Sequence, residues 1–300
     1  MAEPTIPPMV TSAHRATNPI RVTVVGAGGT GGRLIPSLMQ VMRRGDSVAI
    51  VDGDHVEDRN LARQNFRARD IGVNKAEIMA ARYRRDGINV EAYATMLTPE
   101  NVNEISAGTG AAATGQRIFL GCVDNWRARR VMKDALLAGG NRIWIDGGNE
   151  RRGGQVIFSA HGWPFKVKGA NPRASSGQQE HNSNYSIPGM VTGMPQLLEA
   201  QAWHCHRCDV DNDAARETCK KCKQPEESCR DRIDLQTVAV NQMSATCIIN
   251  ALANVLYQVP FSTCGAFFST LNTMSPIKLE SVNWERLTVN PEKTYAGVEA

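Results

Sequence analysis

Residues 21–160 predict an α/β fold, Rossmann-like, with a mostly parallel sheet and helices on both faces. Three observations carry this. Short β-branched runs alternate with segments of helical spacing. The first run, Val22-Thr23-Val24-Val25, leads into a glycine-rich turn, Gly26-Ala27-Gly28-Gly29-Thr30-Gly31. An aspartate, Asp52, closes the second run about twenty residues further on. Strand, helix, strand at this rhythm is the signature of parallel strands joined by crossover helices.

The elements follow in order. Arg21–Val25 is a strand, and Gly32–Arg44 has helical spacing with Leu34, Leu38, Met39 and Met42 on one side. Ser47–Asp52 is a strand. Lys75–Arg85 is a helix with Ala76, Met79, Ala80 and Tyr83 inward, and Asn89–Ala94 a strand. Arg117–Cys122 is an apolar strand, Trp126–Leu137 a helix, and Arg142–Asp146 and Gln155–Ser159 are strands. Residues 161–232 are rich in Gly, Pro, Ser, Asn, Gln and charge, and carry no apolar period. A segment of that length is a functional loop or a crossover. Helical spacing returns from Ile233 to Tyr257, and Phe261–Thr270 and Ile277–Val282 read as strands closing the sheet.

Composition narrows the function classes. The chain has 300 residues, 42% of them hydrophobic, enough for one large or two small cores. Its 34 basic and 30 acidic residues are interspersed and leave a net charge of +4, so neither nucleic acid nor a membrane surface is an expected partner. No apolar stretch reaches the ~18 residues of a membrane span. The first 19 residues lack an apolar segment and read as a flexible arm, not a secretion signal. Four of the eight cysteines form two C-x-x-C pairs, which fits metal in a reducing cytoplasm better than disulfides.

Gly26, Gly28 and Gly31 fit G-x-G-x-x-G between a strand and a helix. Glycine suits a tight turn whose backbone approaches a phosphate, with the phosphate resting on N–H groups at the helix start. Asp52 is placed to hold a ribose hydroxyl. A dinucleotide-dependent oxidoreductase uses the same two elements, so they do not separate ATP from NAD.

The next segment does. Asp52, Asp54, Val56, Asn60, Leu61, Arg63 and Gln64, then Asp70-Ile71-Gly72 and Lys75, resemble the adenylating domain of the ThiF, MoeB and ubiquitin-activating-enzyme superfamily. Gly121-Cys122-Val123-Asp124-Asn125 with Arg129 resembles the family's D-N-x-x-x-R. Trp144-Ile145-Asp146, Gly148-Asn149, Gly154-Gln155-Val156 and Val240-Asn241-Gln242 are most similar to ThiF-type proteins of the bacterial PRTRC cassette. The resemblance implies ATP and Mg²⁺, with Gly26, Gly28, Gly29, Gly31, Asp54 and Gln64 in the nucleotide site. It further implies Asp52 on the ribose, Arg63 and Lys75 on the phosphates, Asp124 on magnesium, and Asn60 orienting the phosphate end. Joining a carboxylate to the α-phosphate of ATP brings anions together, and such cations offset the charge. The implied partners are a small ubiquitin-like protein with a C-terminal Gly, a conjugating enzyme and a second copy of the chain in a homodimer. Relatives often carry an arginine before the first strand that reaches the partner subunit's nucleotide; here only Arg15 and Arg21 stand there.

The implied division is a flexible arm at 1–19, an ATP-binding adenylation domain at 20–160, a crossover insertion at 161–232, and a C-terminal helix and strands at 233–300. The insertion holds Cys205, Cys208, Cys219 and Cys222, two knuckles ten residues apart, a spacing suited to structural tetrahedral Zn²⁺. His204 or His206 could replace one cysteine. With Trp203 and Asn212 the cluster resembles a RanBP2-type zinc finger. Cys229, beside Arg230 and Arg232 in a polar stretch, is the candidate nucleophile for a thioester, since nearby cations lower a thiol's pKa. A spare surface cysteine or a further zinc ligand is the alternative for Cys229. Cys122, Cys247 and Cys264 read as small core residues. Three other functions stay open: a sulfur-carrier adenylyltransferase without an obligatory enzyme thioester, an NAD-dependent oxidoreductase, and a nucleotide sensor without catalysis.

Overall fold

The computed structural model describes residues 19–108, 116–139, 142–149, 153–163, 185–187, 203–205, 210–212, 220–223, 238–257, 263–269 and 275–278. β1 (Ile20–Val25) reads Ile-Arg-Val-Thr-Val-Val, and all six residues are buried. Such a run suits the middle of a parallel sheet, where helices cover both faces. β1 pairs in parallel with β2 (Ser47–Val51) on one side and β4 (Gln116–Gly121) on the other. β3 (Asn89–Tyr93) extends β2, and β5 (Arg142–Asn149) extends β4, again in parallel. Strand order therefore runs β3-β2-β1-β4-β5, with the direction of winding reversing between β1 and β4.

Beyond β5 the sheet turns antiparallel. β6 (Gly153–Trp163) pairs with β5, β10 (Thr263–Ser269) with β6, and β11 (Ser275–Lys278) with β10. β7 (Tyr185–Ile187) adds to β6 and completes nine strands. Only three residues separate β5 from β6. A parallel return needs about a dozen or more, so a hairpin is forced there.

Helices cover both faces. α1 (Gly31–Val41), α2 (Lys75–Arg82) and α5 (Val238–Tyr257) pack one core, which includes Leu34, Leu38, Met79, Ile248 and Leu252. α3 (Val102–Ala107) and α4 (Trp126–Leu137) pack the other, with Ile105, Met132 and Leu136 against Phe119 and Trp144. The sequence pattern did not predict α3, whose six residues are too short for a period. α5 is seen from Val238; residues 233–237 lie outside the described residues. No helix among the described residues is long and apolar enough to cross a membrane.

Two consequences bear on the arginines before the glycine turn. Arg15 lies outside the described residues. Arg21 is fully buried in β1, ion-paired with Glu91, and donates from Nη2 to the Ile105 carbonyl at 2.7 Å. That partnership ties β1 to β3 and α3 and gives Arg21 no reach toward a second subunit.

Two short 3₁₀ turns carry the chain from β2 to α2. Asp70 closes the second: its Oδ2 accepts from the Arg67 N–H at 2.7 Å and pairs with Arg82 of α2. Gly72 follows with φ +83°, and its N–H reaches the Val56 carbonyl at 2.8 Å. Burial raises the Asp70 carboxyl, but the Arg67 N–H and then the Arg82 guanidinium outweigh it and hold it below the usual value. A folded value below the unfolded one gives stability that is complete above about pH 4 and lost as pH falls through the folded value. Asp70→Asn is therefore expected to cost roughly 1–2 kcal/mol at pH 7 in urea unfolding. The gap to the wild type should narrow as the pH is taken below 4; a constant gap contradicts the assignment.

Candidate nucleotide site at the switch point

In sheets of this winding the crevice lies beyond the carboxyl ends of the strands, where the winding reverses. A cavity of about 660 Å³ opens there. Val25, Val51 and Cys122 line it from the ends of β1, β2 and β4, and Gly147 and Gly148 from β5.

The glycine turn forms its floor. Gly26 has φ +92°, and a Cβ on it would stand 2.6 Å from the Cys122 carbonyl oxygen, so only glycine fits. Its N–H donates to the Val51 carbonyl at 2.8 Å. A Cβ on Gly31 would stand 1.9 Å from the Gly26 carbonyl oxygen. Gly31 therefore serves the close passage of α1 over β1 and does not line the cavity, while Gly26, Gly28 and Gly29 do.

Asp52 joins this floor to the next loop. Its Oδ2 accepts from the Ala27 N–H at 2.7 Å and its Oδ1 from the Asp54 N–H at 2.9 Å. Burial raises its pKa, with both N–H groups and Lys75 working against that rise. Lys75 opens α2, is 5% exposed, and places Nζ 3.2 Å from Asp54 Oδ2. Arg63 is 8% exposed. Both cations line the cavity, and so do Asp54 and Gln64. A solvated face would leave such charges in water; here the fold holds them at an internal wall.

Asn74 is the residue that sequence reasoning missed in this region. Its Oδ1 caps α2 by accepting from Ala76 and Glu77, at 2.8 and 3.2 Å. Its Nδ2 donates to the Asp52 and Asp54 carbonyls, at 2.8 and 3.0 Å. One side chain thus sets both loops that carry the aspartates and Lys75. The signal was present in the sequence as an asparagine directly before a helix.

Asn60 does not line the cavity. It is buried, its Oδ1 accepts from the Glu57 N–H at 2.9 Å, and its carbonyl accepts from the Arg63 and Gln64 N–H groups. It shapes the turn that presents Arg63 and Gln64.

The opposite wall comes from the loop after β4. Asp124 stands exposed at the cavity wall. Asn125 caps α4 by accepting from the Ala128 N–H at 2.9 Å. Arg129 is buried, with Nε 2.9 Å from Asp146 Oδ2 and Nη2 2.7 Å from the Val123 carbonyl, which fixes the loop carrying Asp124. Burial drives the Asp146 carboxyl upward, opposed by Arg129. Burial, then the charge of Asp146, also pushes the Cys122 thiol far up, consistent with an inert wall residue.

The cysteine cluster is described only in part. β8 (Trp203–Cys205) and β9 (Val210–Asn212) form an antiparallel ribbon. Asn212 is buried, and its Oδ1 accepts from the Lys220 N–H at 2.9 Å, tying the ribbon to the turn that holds Cys222. Cys208, Cys219 and Cys229 lie outside the described residues. Among the described residues no group of three or more His, Cys, Asp or Glu is placed to hold a metal.

A glycine floor at a switch point is common to many nucleotide folds, but the ThiF family pattern runs through residues 7–297. The chain belongs to the ThiF family. A curated relative, the adenylyltransferase and sulfurtransferase UBA4 of Yarrowia lipolytica, is 27% identical over 184 residues, covering 60% of this chain and 44% of UBA4. The chain thus spans less than half of that relative's length. Among solved structures, E. coli MccB with ATP superposes with a TM-score of 0.51 at 13% identity, covering 88% of this chain and 64% of MccB. MccB alone gives 0.51 at 13% identity, over 87% and 62%. These likenesses show the ThiF-type fold.

Proposed function

We propose that this ThiF-family chain adenylates the C-terminal carboxylate of a small ubiquitin-like protein, using ATP and Mg²⁺. The observation that carries this is the pair of buried cations, Arg63 and Lys75, held at the wall of a glycine-floored cavity that Asp124 faces. A nicotinamide dinucleotide needs no such cations along a third phosphate, which disfavours an oxidoreductase. UBA4 being an adenylyltransferase and the ATP in the MccB structure support the same choice.

The residues fit the groups. Gly28 and Gly29 present backbone N–H groups for phosphate oxygens, while the Gly26 N–H is held by the Val51 carbonyl and its glycine serves the turn. Asp52 keeps lone pairs beyond those given to Ala27 and Asp54, which supports a role as acceptor for ribose hydroxyls. Asp124 is the exposed carboxylate for magnesium, whose charge would ease the approach of one anion to another. The substrate carboxylate oxygen bonds to the α-phosphorus, the bond from that phosphorus to the bridging oxygen breaks, and pyrophosphate leaves with the electron pair. Arg63 and Lys75 stabilise the charge that develops on it.

Cys229 then receives the acyl group: its thiolate attacks the acyl carbonyl, AMP departs, and a thioester remains for a conjugating enzyme. Cys205, Cys208, Cys219 and Cys222 hold structural zinc that staples the 161–232 insertion, whose sequence carries no apolar period. The hydrogen bond from the Lys220 N–H to Asn212, which links the ribbon to the turn holding Cys222, supports this reading. A second reading, favoured by UBA4 being also a sulfurtransferase, keeps the adenylation and omits the thioester.

Lys75→Met and Asp124→Asn are each expected to lower ATP–pyrophosphate exchange by about 10²-fold or more, assayed with a co-purifying small protein that ends in Gly. Unchanged exchange in both variants contradicts the proposal. Cys229→Ala should retain exchange and lose any thioester seen on non-reducing gels; full retention of product favours the second reading. Metal analysis of the purified chain should find about one zinc per chain, and none after Cys205→Ser with Cys222→Ser; its absence from the wild type removes the zinc assignment.

A further inference from the structure

The glycine floor has two unlike sides. On one, the Gln64 side chain lies nearest to Gly28, beside Arg63 and Lys75. On the other, α5 brings in Asn241, which is 1% exposed yet lines the cavity. Its Oδ1 accepts from Asn149 Nδ2 at 2.8 Å and from the Thr30 hydroxyl at 3.4 Å. Asn149 Nδ2 also donates to Thr30 Oγ1 at 2.6 Å. With Oδ1 of Asn241 facing these two groups, the amide nitrogen lies on the other side. Its Nδ2 is turned to Gly29, where a Cβ would stand 2.6 Å away. That Nδ2 is buried and has no hydrogen-bond partner among the described residues.

A buried amide donor without a partner costs roughly 1–3 kcal/mol, so a fold keeps one beside a binding cavity when a ligand atom satisfies it. The atom it suits is an acceptor oxygen. Charge decides which oxygen. Among the described residues, those that approach Asn241 at the cavity are Gly29, Thr30 and Asn149, all neutral. Arg129, which also lines the cavity, is engaged by Asp146 and the Val123 carbonyl. Phosphate oxygens belong with the cations on the Arg63 side. A neutral donor suits an acyl oxygen, which loses its charge as the anhydride forms and which a fixed cation would hold back.

We propose that Asn241, seated by Asn149 and Thr30, donates a hydrogen bond to the acyl oxygen of the substrate and so positions it at the neutral side of the glycine floor. This rests on the adenylation reading above. Gly29 is glycine for the same reason: any side chain there would displace the amide.

The probes are 5′-O-sulfamoyladenosine and its N-glycyl derivative, a stable mimic of an acyl-adenylate, titrated calorimetrically into the full chain alongside MgATP. The wild type is expected to bind the glycyl form about tenfold or more tighter than the form without the acyl group. Asn241→Asp keeps the oxygen that Asn149 and Thr30 bind but removes the donor; Asn241→Leu removes it without adding charge. Both should bring that ratio down to about twofold or less. A lost fold would weaken both ligands together, whereas the ratio reports the acyl group alone. An undiminished ratio in both variants overturns the inference. Equal binding of the two ligands by the wild type also overturns it and leaves adenylation standing. Failure of the wild type to bind MgATP and both sulfamates overturns the adenylation reading itself.

Discussion

The carboxylate of Asp52 is the constraint on which the site depends. One oxygen takes the Ala27 N–H and the other the Asp54 N–H. The glycine turn after β1 and the acidic loop after β2 are thereby fixed to each other. Asn74 then fixes the acidic loop to the first turn of α2, and Lys75 follows in register with Asp54. Two short side chains, Asp52 and the helix cap Asn74, therefore place the glycine turn, the acidic loop and a buried lysine. Charged hydrogen bonds in a sheltered site are stronger than those in water, so the arrangement is stiff before any ligand arrives.

Stiffness matters because of what the cavity holds together. Arg63 and Lys75 are cations kept out of water, which a stable fold avoids unless partners or ligands repay the desolvation. Lys75 has Asp54 as its partner. Asp124 stays exposed on the facing wall, held by a loop that Arg129 anchors from beneath. A buried cationic side, an exposed carboxylate and a neutral amide side give one cavity three electrostatic environments. The proposed adenylation, which joins one anion to another and expels a third, has use for each.

Local patterns were legible in the sequence. β1, the glycine turn and Asp52 could be placed from spacing alone, because a turn needing positive φ admits little but glycine. Arg63 and Lys75 were found through family resemblance, and the fold adds that they are buried at the cavity. Roles that depend on distant packing were not legible. Asn60 matches the family pattern, yet it closes a turn and leaves the cavity to Arg63 and Gln64. Arg21 looked available before the glycine turn, but β3 and α3 enclose it, and α3 was too short to predict. Asn241 meets Thr30 across 211 positions of chain, a distance that no periodicity spans.

The central claim is that this cavity is built for a triphosphate. Calorimetric titration of the purified full chain with MgATP and, separately, with NAD tests it most directly. The account predicts saturable binding of MgATP at one site per chain, weakened by Arg63→Ala, and no binding of NAD. Binding of NAD with none of MgATP would contradict it.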